Sequence, residues 1–238
     1  MILKNLNLEA NLLRPVLEGI SQGFFRLISF GVYISSTIWK KPGGILTESC
    51  FMQEEETKQM LSQNPQKQFP KISKKAWISE TAVIIGNVII EENVFVGPYA
   101  VIRADEPGSG IIIKKNCNVQ DNVVLHGLSG SKILIEENTS LAHGCIVHGP
   151  CKIREGCFIG FGAVVFDCVI GKDSLILHNS TVRGIKLPPS KVVPDGMSIN
   201  SQKDLSKIEE LTAELVEFKR AVIEANLELV KGYRKLEN

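Results

Sequence analysis

Three of the four histidines, His126, His143 and His148, fall within 23 residues, in the runs NVQDNVVLHGL and SLAHGCIVHGP. A lone histidine is usually an ordinary polar residue, but three this concentrated point to a metal. Neutral imidazole is a common zinc ligand, and three protein ligands with one open position form the usual catalytic zinc site. The chemistry open to such a site is activation of water or polarisation of a carbonyl oxygen.

The elements that must position these histidines are legible as a fixed period. Aliphatic residues recur at every sixth position through Ile78, Ile84, Ile90, Val96 and Ile102, then Ile113, Val119 and Leu125. After a second interruption they run through Ile135, Leu141, Val147, Ile153, Ile159 and Val165, and after a one-residue slip through Ile170, Ile176 and Val182. A strand needs only period two and a helix 3.6, so a period of six describes neither alone. It describes a β-helix in which each short strand forms one wall and three walls close a turn of 18 residues. A second, mostly small stripe precedes the first by two residues and includes Ala82, Val88, Val94, Ala100, Thr139, Cys145, Cys151, Cys157 and Ala163. The sixfold spacing of those cysteines is therefore read as packing rather than as a metal cluster. The same slots elsewhere hold alanine and valine. The expected fold class is all-β, a parallel β-helix over residues 71–190.

The ends of the chain differ from this core. Residues 1–70 form an extension in which Phe24 to Trp39 is apolar over 16 residues, contains Arg26, and is shorter than the roughly 20 residues that cross a bilayer. Membrane association of 24–39 is disfavoured, and Met52 is a candidate true start that would leave residues 1–51 unexpressed. Residues 52–70 read as a flexible polar lead-in. Residues 191–238 read as a linker and a helix that begins near Ser201 with Asp204 as capping partner. Its apolar stripe is Leu205, Ile208, Leu211, Leu215, Phe218, Val222 and Ala225, and it packs on a wall of the β-helix. Lys plus Arg total 27 against 26 Asp plus Glu, so no nucleic-acid footprint is implied. Six cysteines without a C-x-x-C pair suit free buried thiols in a reducing, cytoplasmic compartment.

Register turns the histidines into a site. His126 follows inward Leu125 and His148 follows inward Val147, so both point outward, one turn apart, about 4.8 Å from each other along the backbone. Their separation of 22 is one turn of 18 plus the four extra residues of the interruption at 127–132. His143 lies around a corner on the preceding wall and cannot easily reach that pair. A single metal held by all three therefore takes His143 from another molecule, and a cyclic trimer with three interfacial sites satisfies every ligand set.

The runs RADE (Arg103 to Glu106), NVQDNVVLHG (Asn118 to Gly127) and SLAHGCIVHGP (Ser140 to Pro150) closely resemble the gamma-class carbonic anhydrases, left-handed β-helical trimers of hexapeptide repeats. The resemblance covers roughly residues 70–235. It implies reversible hydration of carbon dioxide to bicarbonate, with zinc, cobalt or ferrous iron on His126 and His148 of one chain and His143 of its neighbour. It further implies that Arg103 pairs with Asp121 across or near the subunit contact, and that Gln120 hydrogen-bonds the water on the metal. Asp105 and Glu106 lie in the first loop, Glu106 matching the family's active-site glutamate and a candidate proton acceptor.

Two departures stand out. The second loop, GLSGSK, carries no carboxylate where some members place a proton-shuttling glutamate, so this chain resembles a short-loop branch. The helix position where some members place an asparagine over the site is read as Lys219. An acyltransferase of the same repeat type would need one histidine as general base, and three in metal-ligand register argue against it. A non-catalytic trimeric scaffold or bicarbonate-binding subunit is the alternative that the missing loop carboxylate favours.

Overall fold

The inward hexad positions become three stacked columns of aliphatic side chains inside a triangular prism. The structure, a computed structural model, describes residues 60–237. All seventeen aliphatic positions of the repeat belong to one buried cluster, from Ile78 at 6% exposure to Val182 at 0%. The small stripe is buried with them: Ala82, Ala100, Cys145 and Ala163 are fully enclosed. Burial pushes the thiols of Cys117 and Cys157 up to about 12, so these cysteines stay protonated and act as small apolar packing residues.

Each wall is a stack of parallel strands, and the pairing of Ile146–Ile153 with Val164–Ile170 shifts register between His148 and Cys151, where the repeat slips by one residue. The first contains Val83–Gly86, Val101–Ala104, Val124–His126 and Thr181–Arg183, together with the leading parts of the longer strands Ile146–Ile153 and Val164–Ile170. The trailing parts of those two strands belong to the second wall, with Val88–Ile90, Gly110–Ile113 and Lys132–Ile135, and so fuse both walls into one 13-stranded sheet. The third wall runs from Trp77–Ile78 through Asn118–Val119 and Ser140–Leu141 to Lys191–Val193. The architecture is a left-handed parallel β-helix.

The corners require backbone in the left-handed region, which asparagine and glycine adopt at least cost. Asn93, Asn116 and Asn138 occupy one corner with φ of 58°, 60° and 54°. Their side chains form a ladder, Asn93 Nδ2 donating to Asn116 Oδ1 and Asn116 Nδ2 to Asn138 Oδ1, each at 3.1 Å.

The coil is longer than the hexad pattern indicates. Met60–Ser62 pairs in parallel with Val83–Ile85, so part of the expected polar lead-in is a strand of the first wall. At the other end Lys191–Val193 and Ser198–Ile199 continue the walls past residue 190. The expectations for residues 1–51, including Met52 as a start and the apolar run 24–39, lie outside the described residues. No helix among the described residues is long and apolar enough to cross a membrane.

The expected helix from Ser201 divides in two. Ser201 and Asp204 do form a capping box, but on a short 3-10 helix, Gln202–Lys207. An antiparallel strand, Glu209–Glu210, follows, and helix α1 spans Ala213–Leu236 with Thr212 accepting from Leu215 N–H. Leu205 and Ile208 therefore cover the main core from outside α1. With 24 residues α1 is about 36 Å long, enough to run the third wall from end to end. Leu215 and Val222 pack over Phe158 and Leu175 near its start, and Tyr233 stacks on Trp77 at 4.1 Å near its end.

The stripe that α1 buries differs from the apolar one expected: Phe218 is 41% exposed, whereas Lys219, Asn226 and Val230 are buried. Lys219 reaches the prism and donates to Gly156 O at 2.8 Å, Asp173 O at 3.0 Å and Asp173 Oδ1 at 3.2 Å. Replacing it by methionine keeps the stem and loses these bonds. Lys219→Met is expected to lower unfolding stability by about 1–3 kcal/mol in urea titration.

Candidate metal centre

His126 and His148 are direct neighbours across adjacent strands of the first wall, in register as Cα partners. Leu125 and Val147 are anchored inside the prism at 0% exposure, so the next residue of each strand must project outward. The rings meet edge to face with centroids 5.0 Å apart, and His126 Nδ1 lies 3.2 Å from His148 Nε2.

Arg103 occupies the same column one strand below, in register with His126, and its guanidinium lies 3.1 Å from His126 Nε2. A guanidinium has only donors, so Nε2 accepts there and the ring proton falls on Nδ1, which then donates to His148 Nε2. The proton of His148 is left on Nδ1, which is buried and has no partner among the described residues. Burial lowers the His126 pKa, the neighbouring Arg103 guanidinium and His148 ring lower it further, and the His126 imidazole is held in the neutral form that ligates metals.

Two carboxylates complete the rim. Glu106 Oε1 lies 3.4 Å and Asp105 Oδ1 3.7 Å from His126 Nε2, and Asp105 Oδ2 lies 3.4 Å from Arg103. Asp105 Oδ1 is buried without a hydrogen-bond donor. Glu106 is held by the second loop: its Oε2 accepts from Ser129 N–H at 2.8 Å, while Ser129 Oγ and Gly130 N–H both bond Pro107 O. The second loop thus stacks on the first and aims its glutamate, a role that composition alone does not reveal.

Gln120 and Asp121 lie on the other side of the corner, where the third wall turns into the first. Asp121 Oδ2 is 3.3 Å from His143 Nδ1 within the chain. Arg103 has its in-chain contacts at Asp105 and His126 instead. His143 stands on the turn before Gly144, whose φ of 68° suits glycine; its side chain is 52% exposed and leans on Phe161. It does not join the other two histidines. Among the described residues no three His, Cys, Asp or Glu side chains of one chain converge on a metal position.

The helix residue over this region is Asn226, which corrects the assignment of that position to Lys219. Gln120 Nε2 donates to Asn226 Oδ1 at 2.6 Å and to Asn118 Oδ1 at 3.1 Å. Asn226 Nδ2 donates to Val222 O and Asn118 Nδ2 to Ser140 Oγ, which fixes which end of each amide accepts. Both protons of the Gln120 amide are consumed, and its carbonyl oxygen is the atom left to face outward. A search for apolar periodicity misses Asn226 because it is a polar residue in a buried helix stripe.

These residues fit a divalent cation. The site offers two facing imidazoles and a buried carboxylate oxygen without a partner, and imidazole nitrogens are borderline-soft donors of the kind zinc, cobalt and ferrous iron accept.

Comparison with known proteins agrees with this geometry. Residues 69–104 match the family described as bacterial transferase hexapeptide (six repeats). The carbonic anhydrase of Methanosarcina thermophila is 34% identical over 193 residues, covering 72% of this chain and 78% of that protein. The carboxysome assembly protein CcmM of Nostoc sp. is 32% identical over 173 residues, covering 68% of this chain, which spans only 31% of that longer relative. In fold alone, a hexapeptide transferase family protein from Anaplasma phagocytophilum superposes with a TM-score of 0.64 at 24% identity, over 74% of this chain and 98% of that one. With a carbonic anhydrase matched over most of both lengths and the repeat, the outward histidine pair and the capping helix all in place, the chain belongs to the gamma-class carbonic anhydrase family.

Proposed function

We propose that this chain catalyses the reversible hydration of carbon dioxide to bicarbonate at three metal sites, each shared between two subunits of a homotrimer. The observation that carries the reading is the His126–His148 pair, in register on adjacent strands with ring nitrogens 3.2 Å apart and a partnerless buried oxygen of Asp105 beside them. His126 and His148 would hold the metal from one side and His143 of the neighbouring copy from the other. A divalent cation held by these residues would acidify water enough to make a nucleophile available near neutral pH.

The chain's own groups supply the rest. Hydration of carbon dioxide releases one proton for each bicarbonate, and Glu106, beside His126 and 37% exposed, can accept that proton and pass it to solvent buffer. Arg103 places a permanent positive charge beside the same histidine, where it attracts and orients bicarbonate. The Gln120 carbonyl, fixed by Asn118 and Asn226, is an acceptor that selects a hydrogen-bearing oxygen over a bare one.

A trimer is supported by a second column on the first wall. Val83, Val101, Val124, Ile146 and Val164 are in register one above another at outward positions. None of the five is fully buried, and Ile146 is 37% exposed. A continuous β-branched stripe beside a polar column is the composition of a subunit contact rather than of a free surface.

A second reading, a metal-holding scaffold without efficient turnover, is favoured by the loop at 127–131, which carries no carboxylate. Similarity to a carboxysome assembly protein points the same way. Stopped-flow carbon dioxide hydration on anaerobically purified, zinc- or iron-loaded protein separates the two readings. Metal bound at one ion per chain without hydration above buffer would select the scaffold.

For the enzyme reading, His148→Ala is expected to abolish stoichiometric metal in elemental analysis. Glu106→Ala is expected to keep the metal and lose about 100-fold in kcat, with partial recovery at high buffer concentration. Asn226→Leu removes one of the two bonds that orient Gln120 and should lower kcat/KM about tenfold without loss of metal.

A further inference from the structure

Two columns of side chains on this prism complement each other well beyond the metal ligands. The wall column reads Arg103, His126, His148, Phe166, Arg183, each residue the register partner of the next. The edge column reads Asp121, His143, Phe161, His178, Asp195. It is tied coil to coil by Gly144 N–H on Asp121 O, Gly162 N–H on His143 O, Asn179 N–H on Phe161 O and Gly196 N–H on His178 O. Every edge residue from Asp121 to His178 precedes a wall residue by five positions: 121 and 126, 143 and 148, 161 and 166, 178 and 183. The two columns therefore share one phase along the prism.

Rotation about an axis parallel to the prism leaves every residue at its own height. The offset that carries the neighbouring copy's His143 between His126 and His148 therefore applies at every level. At the lower end it sets Asp121 of that copy beside Arg103. Two coils above His148 it sets the neighbour's Asp195 beside Arg183. Between them, Phe161, 47% exposed, meets Phe166, which already packs against His148 at 5.2 Å. Arg183 is exposed, and no carboxylate among the described residues pairs with it. Asp195 is exposed and held on the edge by His178 N–H, which donates to its Oδ1 at 2.7 Å. A cation on one column and an anion on the other at matched heights is the complementarity that fixes register between copies.

We propose that Arg183 forms an ion pair with Asp195 of the neighbouring copy, three such pairs closing the trimer on the far side of the metal layer. This rests on the trimer reading above. The pair fixes the vertical register of the copies and so holds His143 at the height of its metal.

The test is charge reversal read by sedimentation over a dilution series. Wild-type protein is expected to sediment as a trimer. Arg183→Glu and Asp195→Lys should each raise the dissociation concentration about tenfold or more, and the double variant should recover most of the loss. Lys186→Glu, the same change of charge at an exposed residue of the second wall, should leave dissociation unchanged. A wild-type monomer with full metal would overturn the trimer reading and this pair together. A stable wild-type trimer whose Arg183→Glu form dissociates like the Lys186→Glu control, or a double variant weaker than both singles, would overturn the pair alone.

Discussion

Parallel stacking in register, at about 4.8 Å per coil, is the constraint on which the rest of this molecule depends. The inward aliphatic columns, Ile84 to Ile102 to Leu125 to Val147 on one wall, lock that register because a slip of one residue would turn a buried column outward. The outward neighbours inherit the spacing. Arg103, His126 and His148 are therefore superposed without any local device of their own, and the separation is already short enough for two imidazoles to share an ion. The same stacking excludes His143, which sits a corner away, and so a site with three histidines has to be completed from outside the chain.

The insertions and the helix supply what a regular coil cannot. A strict hexad has no room for a carboxylate beside the histidines; the loop after Ala104 creates it, and the loop after His126 fixes it through Ser129 N–H. Helix α1 covers the third wall and reaches the site only through Asn226. Because the amide of Gln120 donates to two oxygens, the polarity it presents is set by residues more than a hundred positions apart in sequence. Buried amides of this kind cost stability unless each donor and acceptor is paired, and here the chain Ser140, Asn118, Gln120, Asn226 pairs them.

Much of this was legible in the sequence because the repeat is an aliphatic pattern with a single period. All seventeen positions are buried, and His126 and His148 are the register partners that a turn plus four inserted residues requires. The helix was less legible. Its inner face uses Lys219 and Asn226, whose long or amide side chains bury while keeping hydrogen bonds, so an apolar count selects exposed Phe218, and the resemblance places the asparagine position at Lys219 instead of Asn226. The ends of the coil were missed for a related reason. Strands Met60–Ser62 and Ser198–Ile199 each offer a single inward aliphatic, Leu61 and Ile199, too few to extend a period by eye, although both side chains join the core and the backbones pair with a neighbouring strand. The grip of Ser129 on Glu106 is a backbone contact and leaves no mark in residue types.

Holding a metal and turning over are physically separate demands on this fold. The first needs neutral imidazoles at fixed spacing; the stacking supplies the spacing, and at His126 burial and the Arg103 cation favour the neutral form. The second needs a path for one proton per cycle. Glu106 is the only carboxylate of the two loops that is both beside His126 and substantially exposed, whereas Asp105 turns one oxygen into the interior. With no acid on the second loop, a proton leaving Glu106 must go directly to buffer. On the proposed reading, turnover would depend on the orientation of the Glu106 side chain, which Ser129 N–H holds from the second loop. A fixed carboxylate in place of a mobile proton carrier would make the proposed reaction sensitive to buffer without altering the histidine pair.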